Sequence, residues 1–170
     1  MSEEKRLVEA TAVFLCKEHA VLLARKTKKI GKGKWNGYGG GVEDGETFLE
    51  CAVRETWEES GGVVVDPDDL EKAAVVHFHN TMSDGRMFTC AVHMYMTYKW
   101  QGEACSTDEM IDPTWFKKDR IPYADMMPAD RDWFPPVLQG RKIVAHAYLG
   151  PFQQHLTGAT TIEEVDSFDD

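Results

Sequence analysis

The sequence has no run of about 20 apolar residues, the length a helix needs to cross a bilayer. Its opening, Met1-Ser2-Glu3-Glu4-Lys5-Arg6, lacks the apolar stretch of a secretory signal. Neither a membrane span nor export is expected, and a cytoplasmic location is. Basic residues are few: 19 against 29 acidic ones, for a net charge of -10. That balance excludes a surface built to grip a nucleic-acid polymer through its phosphates. Cysteine is sparse and scattered, at Cys16, Cys51, Cys90 and Cys105, with no CxxC pair. A zinc knuckle and a redox motif are thereby excluded, and reduced thiols are expected, the first three as small core residues. There is no internal repeat and no interdomain linker.

What is present suits one core. The chain has 170 residues, 42% of them hydrophobic, with five tryptophans to bury. Leu7 to Cys16 and Ala20 to Ala24 read as two strands joined as a hairpin by Lys17-Glu18-His19. Arg25 to Lys34 holds six basic residues with Gly31 and Gly33, a flexible loop ending in Trp35-Asn36-Gly37-Tyr38-Gly39-Gly40-Gly41. Thr47 to Ser60 has no internal glycine or proline and stops at Gly61-Gly62, as a helix does. Ala73 to Phe78 and Phe88 to Tyr98, separated by a turn with Asp84-Gly85, read as an antiparallel pair. Thr114 to Phe116 reads as a short strand, Asp130 to Gln139 as a helix interrupted by Pro135-Pro136, and Lys142 to Leu149 as a last core strand. Thr160 to Asp170 carries five acids and no base, as an edge strand or solvated tail does. Residues 1-155 are thus expected to form one domain, with an acidic segment over 156-170.

Chemistry is concentrated in the helix. Glu55, Glu58 and Glu59 stand at i, i+3 and i+4, so three carboxylates share one side of it. Like charges that close repel, and a hard divalent cation with oxygen ligands offsets the repulsion while shielding a phosphate chain. The competing reading is a solvated acidic face. Two neighbours weigh against it: Gly40 lets the backbone turn tightly into the helix, and Arg54 stands where it can orient a carboxylate.

Together Gly40, Glu46, Arg54, Glu55, Glu58, Glu59 and Gly61 satisfy G-x5-E-x7-R-E-x-x-E-E-x-G. That spacing resembles the Nudix box, with Thr56 and Gly62 where the family has bulky aliphatics. The likeness runs almost end to end and is nearest the oxidised-purine nucleoside triphosphatases, which clear 8-oxo-dGTP from the nucleotide pool. It rests on Thr11, Lys26, Trp35 to Gly40, Asp108-Glu109-Met110, Trp115-Phe116, Ile121-Pro122 and Trp133-Phe134-Pro135.

The resemblance implies an α/β (α+β) fold, a mixed β-sheet sandwiched between helices. It implies Mg²⁺, with Mn²⁺ able to substitute, held by Gly39, Glu55, Glu58, Glu59 and Glu109. Catalysis would fall to Glu59, Glu55, Glu109 and Arg54. A monomeric enzyme would then cut a nucleoside triphosphate, a small-molecule partner, to monophosphate and pyrophosphate. Substrate would be met by Thr11, Lys26, Asn36, Tyr38, Gly39, Gly40, Gly41, Phe78 and the loop Met127, Pro128, Ala129, Asp130. In that loop Met127 replaces a tryptophan and Ala129 a second acid, and Ile30 replaces an aromatic. These departures leave room for another modified nucleotide, such as a methylated purine triphosphate or a nucleoside diphosphate derivative. A non-catalytic nucleotide-binding module fits less well, because every box carboxylate is retained. His77 and His79, beside Phe78, read as structural.

Overall fold

The computed structural model describes residues 8-169. The expected start of the first strand at Leu7 and the final Asp170 lie outside them. Nine strands and two α-helices are found: β1 Glu9–Leu15, β2 Ala20–Lys26, β3 Trp35–Asn36, β4 Tyr38–Gly41, α1 Phe48–Ser60, β5 Glu71–Thr81, β6 Met87–Thr97, β7 Met110–Lys117, α2 Asp130–Leu138, β8 Ile143–Leu149 and β9 Thr161–Glu164. They build a six-stranded mixed sheet ordered β4-β1-β6-β5-β8-β9 and a three-stranded sheet ordered β3-β2-β7. No described helix is long and apolar enough to cross a membrane.

β1 shows why two helices are needed. Ala12 and Phe14 enter one apolar cluster with Phe78, Trp133 and Phe134, on the side of α2. Val13 and Leu15 enter another with Ala52, Tyr38 and Tyr95, on the side of α1. Strand side chains alternate between faces, so a strand buried on both reads as the near-continuous apolar run seen here. The expected sandwich of sheet between helices is observed.

Two expectations are corrected. β1 and β2 are not a paired hairpin. They share a tight turn, with Lys17 N donating to Ala20 O at 2.8 Å and one bridge between Cys16 and Val21, and then part into different sheets. β1 pairs instead with β4 and, in parallel, with β6, while β2 pairs with β3 and β7. Both strands are apolar on both faces, and adjacency in sequence cannot say which neighbour each will take. Nor do the prolines interrupt α2, which runs through both of them. Pro135 and Pro136 lack the N–H that would bond Arg131 O and Asp132 O, and the helix closes instead on Gln139 N, which donates to Pro135 O at 3.2 Å.

The antiparallel pairing of β5 with β6 appears as expected. The acidic end supplies an edge strand, β9, antiparallel to β8 with all four residues exposed. All four cysteines are free; Cys16, Cys51 and Cys90 are buried and Cys105 is exposed.

Candidate active site

α1 is set in place at both ends. Thr47 caps its start, the hydroxyl accepting from Glu50 N at 3.1 Å. Gly61 ends it in the left-handed conformation, φ 78°, with Gly61 N returning to Trp57 O. The loop before β7 is tied to the same end. Cys105 N donates to Ser60 O at 2.9 Å and the Thr107 hydroxyl donates to Glu59 O at 3.0 Å. That attachment carries Glu109, two residues on, to the side of Glu59, where its carboxylate adds like charge.

On its other side Glu59 meets β4. Gly39 N donates to Glu59 Oε1 at 2.8 Å, and Glu59 is only 7% exposed. Burial, with Glu55 and Glu109 adding like charge, lifts its carboxyl to about 8 against the pull of the Gly39 N–H. Burial also raises Glu55, against the opposing effect of Arg54. Lys26, at the end of β2, is pushed down by burial, while Glu59 and Glu109 act to raise it. Gly39, Glu55, Glu109 and Lys26 therefore surround the buried Glu59 carboxyl, with Glu109 on the exposed side.

Arg54 organises the helix side of this cluster. Its Nε and Nη2 hold Glu46 at 2.6 and 2.9 Å, and its Nη1 reaches Glu55 Oε1 at 2.8 Å and Glu58 Oε2 at 3.4 Å. Nη2 also donates to Gly41 O at 3.3 Å. The guanidinium fork holds Glu46 down at about 2. With Arg54 so engaged on Glu46, Glu55 and Glu58, Lys26 faces Glu59 and Glu109.

An all-oxygen donor set with surplus negative charge is what a hard divalent cation needs. The residues present fit such an ion. The donors are gathered rather than closed: among the described residues no three acidic, histidine or cysteine side chains already stand as a cation cage.

A packed apolar cluster lies on the α2 side. Phe78 and Ala129 belong to it with Trp133, and Ala129 has no exposed surface. Asp130 is 4% exposed, its Oδ1 accepting from Trp133 Nε1 at 2.9 Å and its Oδ2 from Met127 N at 3.2 Å. Burial lifts this carboxyl to about 7. The β2–β3 loop packs against the segment before α2, for a methyl group at Gly31 would stand 3.1 Å from Met127 Sδ and 3.4 Å from Lys26 Cδ. Pro128 lines an open depression with Lys34, Arg131 and His155. Asn36 uses its Oδ1 to accept from Gly37 N at 2.8 Å.

Two residues expected at the substrate lie on the opposite face. The Thr11 hydroxyl is 3.2 Å from Cys51 Sγ, under α1, because strand alternation turns Thr11 away from Ala12 and so away from Phe78. Tyr38 is buried in the α1-side cluster, and burial lifts its phenol to about 12. The sequence reading missed Asn80, a buried amide two residues beyond Phe78. The alternation of β5 is the signal that would have found it. It also missed the ladder in which His77 and His79 stack with His146, whose Nδ1 lies 2.8 Å from His79 Nε2.

Comparison with known proteins agrees with this geometry. The NUDIX domain family matches residues 6-137. The mouse (Mus musculus) protein named oxidized purine nucleoside triphosphate hydrolase is 38% identical over 159 residues, 93% of this chain and 96% of that one. The zebrafish (Danio rerio) protein of the same name is 38% identical over 136 residues, 80% and 83% of the two chains. A MutT protein from Bacillus halodurans shares the fold, with TM-score 0.76 at 24% identity over 92% of this chain and 98% of that one. A family match across most of the chain, joined to relatives 38% identical over 80% or more of it, means that this protein belongs to the Nudix family and is a pyrophosphatase-type hydrolase, of a kind that generally works with divalent metal ions.

Proposed function

We propose that this enzyme hydrolyses nucleoside triphosphates carrying an oxidised purine, such as 8-oxo-dGTP, to the monophosphate and pyrophosphate, with Mg²⁺ as the working cation and Mn²⁺ as a substitute. The substrate reading is supported by the name and the 38% identity of the mouse relative. The observation that carries the chemistry is the corner in which Gly39 N holds Glu59 at 2.8 Å while Glu109, Glu55 and Lys26 crowd the same carboxylate. In this reading Glu55, Glu58, Glu59, Glu109 and the Gly39 carbonyl hold the metal. When bound, the ion supplies charge neutralisation for the phosphates and acidifies a water.

The protein's own residues do the rest. Glu59 or Glu109 takes the proton of the attacking water, and it is Glu59 whose affinity for protons burial has raised. Lys26 faces the same corner and offsets charge on the phosphate chain. Arg54 fixes the orientation of Glu55 and leaves Glu46 outside the reacting centre. Gly40 and Gly41 let the chain pass close above α1. The base is received beside Phe78, Met127, Pro128, Ala129 and Trp133, where Asp130 and Asn36 offer polar atoms. Thr11 and Tyr38, on the α1 face, support β4 and β1 behind this site. The catalytic domain spans residues 1-155, with 156-170 adding the edge strand β9.

A second substrate reading has one observation behind it. By the resemblance, Ala129 stands where a second acid is expected, so the proposed base site offers one buried carboxyl, Asp130, in place of two. A methylated purine triphosphate or a nucleoside diphosphate derivative needs fewer hydrogen bonds from that loop. Pyrophosphate release from normal, oxidised and methylated nucleoside triphosphates in the presence of Mg²⁺ separates the readings. Highest kcat/KM on the oxidised purines is expected. Turnover confined to another member of the panel would assign the enzyme to that substrate, and nucleotide binding without any turnover would make it a non-catalytic module.

A further inference from the structure

Asn80 is a carboxamide in an apolar wall. It follows Phe78 on the same face of β5, is 4% exposed, and lies opposite Leu149 of β8. Its orientation is fixed by what it touches. Phe78 O can only accept, so Asn80 Nδ2 faces it at 2.9 Å, and Asn80 Oδ1 is left to accept from Gln153 Nε2 at 2.9 Å. Each amide nitrogen has two N–H groups, and each uses one. Among the described residues the second N–H of Asn80 and the second N–H of Gln153 have no partner.

Gln153 is held there against local preference. Phe152 and Gln153 have φ of 55° and 56°, the left-handed region that non-glycine residues seldom occupy. Two such residues in a row persist only where surrounding contacts over-determine them, and such strain concentrates at ligand clamps. The Asn80–Gln153 hydrogen bond is one of those contacts. Asn80 and Gln153 line a notch with Ile30, Phe88 and Phe152, of about 10 Å³, room for one oxygen atom. Ile30 belongs to the loop that packs on Met127, which places the notch beside the segment proposed to receive the base.

We propose that Asn80, braced by Gln153, is a specificity-determining residue: its free N–H and that of Gln153 receive the exocyclic carbonyl oxygen that oxidation adds to a purine. The inference rests on the function proposed above. An oxygen acceptor entering a one-atom notch satisfies two donors, one on the buried Asn80 and one on the half-buried Gln153, that the unmodified base leaves unmatched. A site built to bond a polar group discriminates against the analogue lacking it, because its own polar groups then go unpaired.

The test uses Asn80→Leu and Gln153→Leu in the full chain, with kcat and KM measured separately for 8-oxo-dGTP and dGTP by pyrophosphate release. The expected result is a rise in KM for 8-oxo-dGTP of about tenfold in either variant. kcat and the constants for dGTP should stay within about twofold of the parent, so that selectivity falls. Selectivity unchanged, or an equal loss on both nucleotides, would overturn the proposal by reducing Asn80 to a packing residue. Gln153 is only partly buried, so its variant remains readable if Asn80→Leu lowers the melting temperature. Should the parent enzyme hydrolyse neither nucleotide, the proposed function fails and this inference with it. A parent that prefers 8-oxo-dGTP with variants that prefer it equally defeats the inference alone.

Discussion

Gly40 and Glu55 touch: a methyl group on the Gly40 α-carbon would lie 2.6 Å from the Glu55 carboxyl carbon and from its Oε1. Neighbouring Gly39 is tighter still against Thr11 O, and there the obstacle is backbone. The two glycines therefore answer substitution differently. Gly40→Ala meets a side chain that can move, so the fold survives while Glu55 is displaced, and turnover should fall about a hundredfold. Gly39→Ala forces β4 away from β1 and should cost roughly 1–3 kcal/mol of stability as well. Melting temperature and kcat, measured together on both variants, separate the outcomes. Equal destabilisation by the two would show that Gly40 serves folding alone.

Glu59 and Glu58 sit one residue apart in different surroundings. Glu59 is buried against Gly39 and Glu109, whereas the Glu58 side chain is 48% exposed beside Arg54. Glu59→Gln retains an oxygen for Gly39 N but loses the charge, and kcat should drop by about a hundredfold or more with an unchanged circular dichroism spectrum. Both Glu59→Gln and Glu58→Gln should weaken Mg²⁺ binding in calorimetric titration, Glu59→Gln the more. Chelation with EDTA should abolish turnover of the parent enzyme reversibly. Undiminished activity of Glu59→Gln would remove the carboxylate cluster from the mechanism.

Arg54→Lys keeps a positive charge but cannot hold Glu46 with a fork and reach Glu55 as well. Loss of those bonds should cost roughly 1–3 kcal/mol and loosen Glu55, lowering kcat by about tenfold. The pair also predicts an acid response. Glu46 is held at about 2 in the folded protein, so its contribution is complete above the ordinary carboxylate range and is lost as pH falls toward 2. In urea titrations from pH 6 to pH 3, Glu46→Gln should show a shallower loss of stability than the parent. Parallel curves would mean that Arg54 grips Glu46 no better than water does.

Much of this was legible because it is local. The i, i+3, i+4 spacing of Glu55, Glu58 and Glu59, the Thr47 cap and the Gly61 stop all act within one helix, where sequence distance and spatial distance agree. What escaped was decided by partners far along the chain. β1 takes β6, more than 80 residues away, over its sequence neighbour β2, because both faces of each strand are apolar and only the completed sandwich discriminates between them. Thr11 and Tyr38 were assigned to substrate by resemblance, but strand alternation turns their side chains toward α1. Asn80 read as the start of the turn after the Ala73 to Phe78 strand, whereas the strand runs on through it and the loop beyond β8 brings Gln153 within 2.9 Å.

Asp130 gives a prediction for neutral pH. Its carboxyl is buried, accepts from Trp133 and Met127, and is lifted to about 7, whereas an unfolded aspartate titrates near 3.8. The folded state therefore binds the extra proton between those limits. The stability this confers is fully present below about pH 4 and is lost as pH rises through 7. Asp130→Asn keeps the oxygen that faces Trp133 and cannot ionise. It forfeits the bond from Met127 N, a cost of about 1 kcal/mol at every pH. Its unfolding midpoint in urea should then vary less than that of the parent between pH 5 and pH 8, with the two curves converging as pH rises. Curves that keep a constant offset across that range would show that Asp130 is already ionised in the folded protein and that its burial is compensated by the two hydrogen bonds.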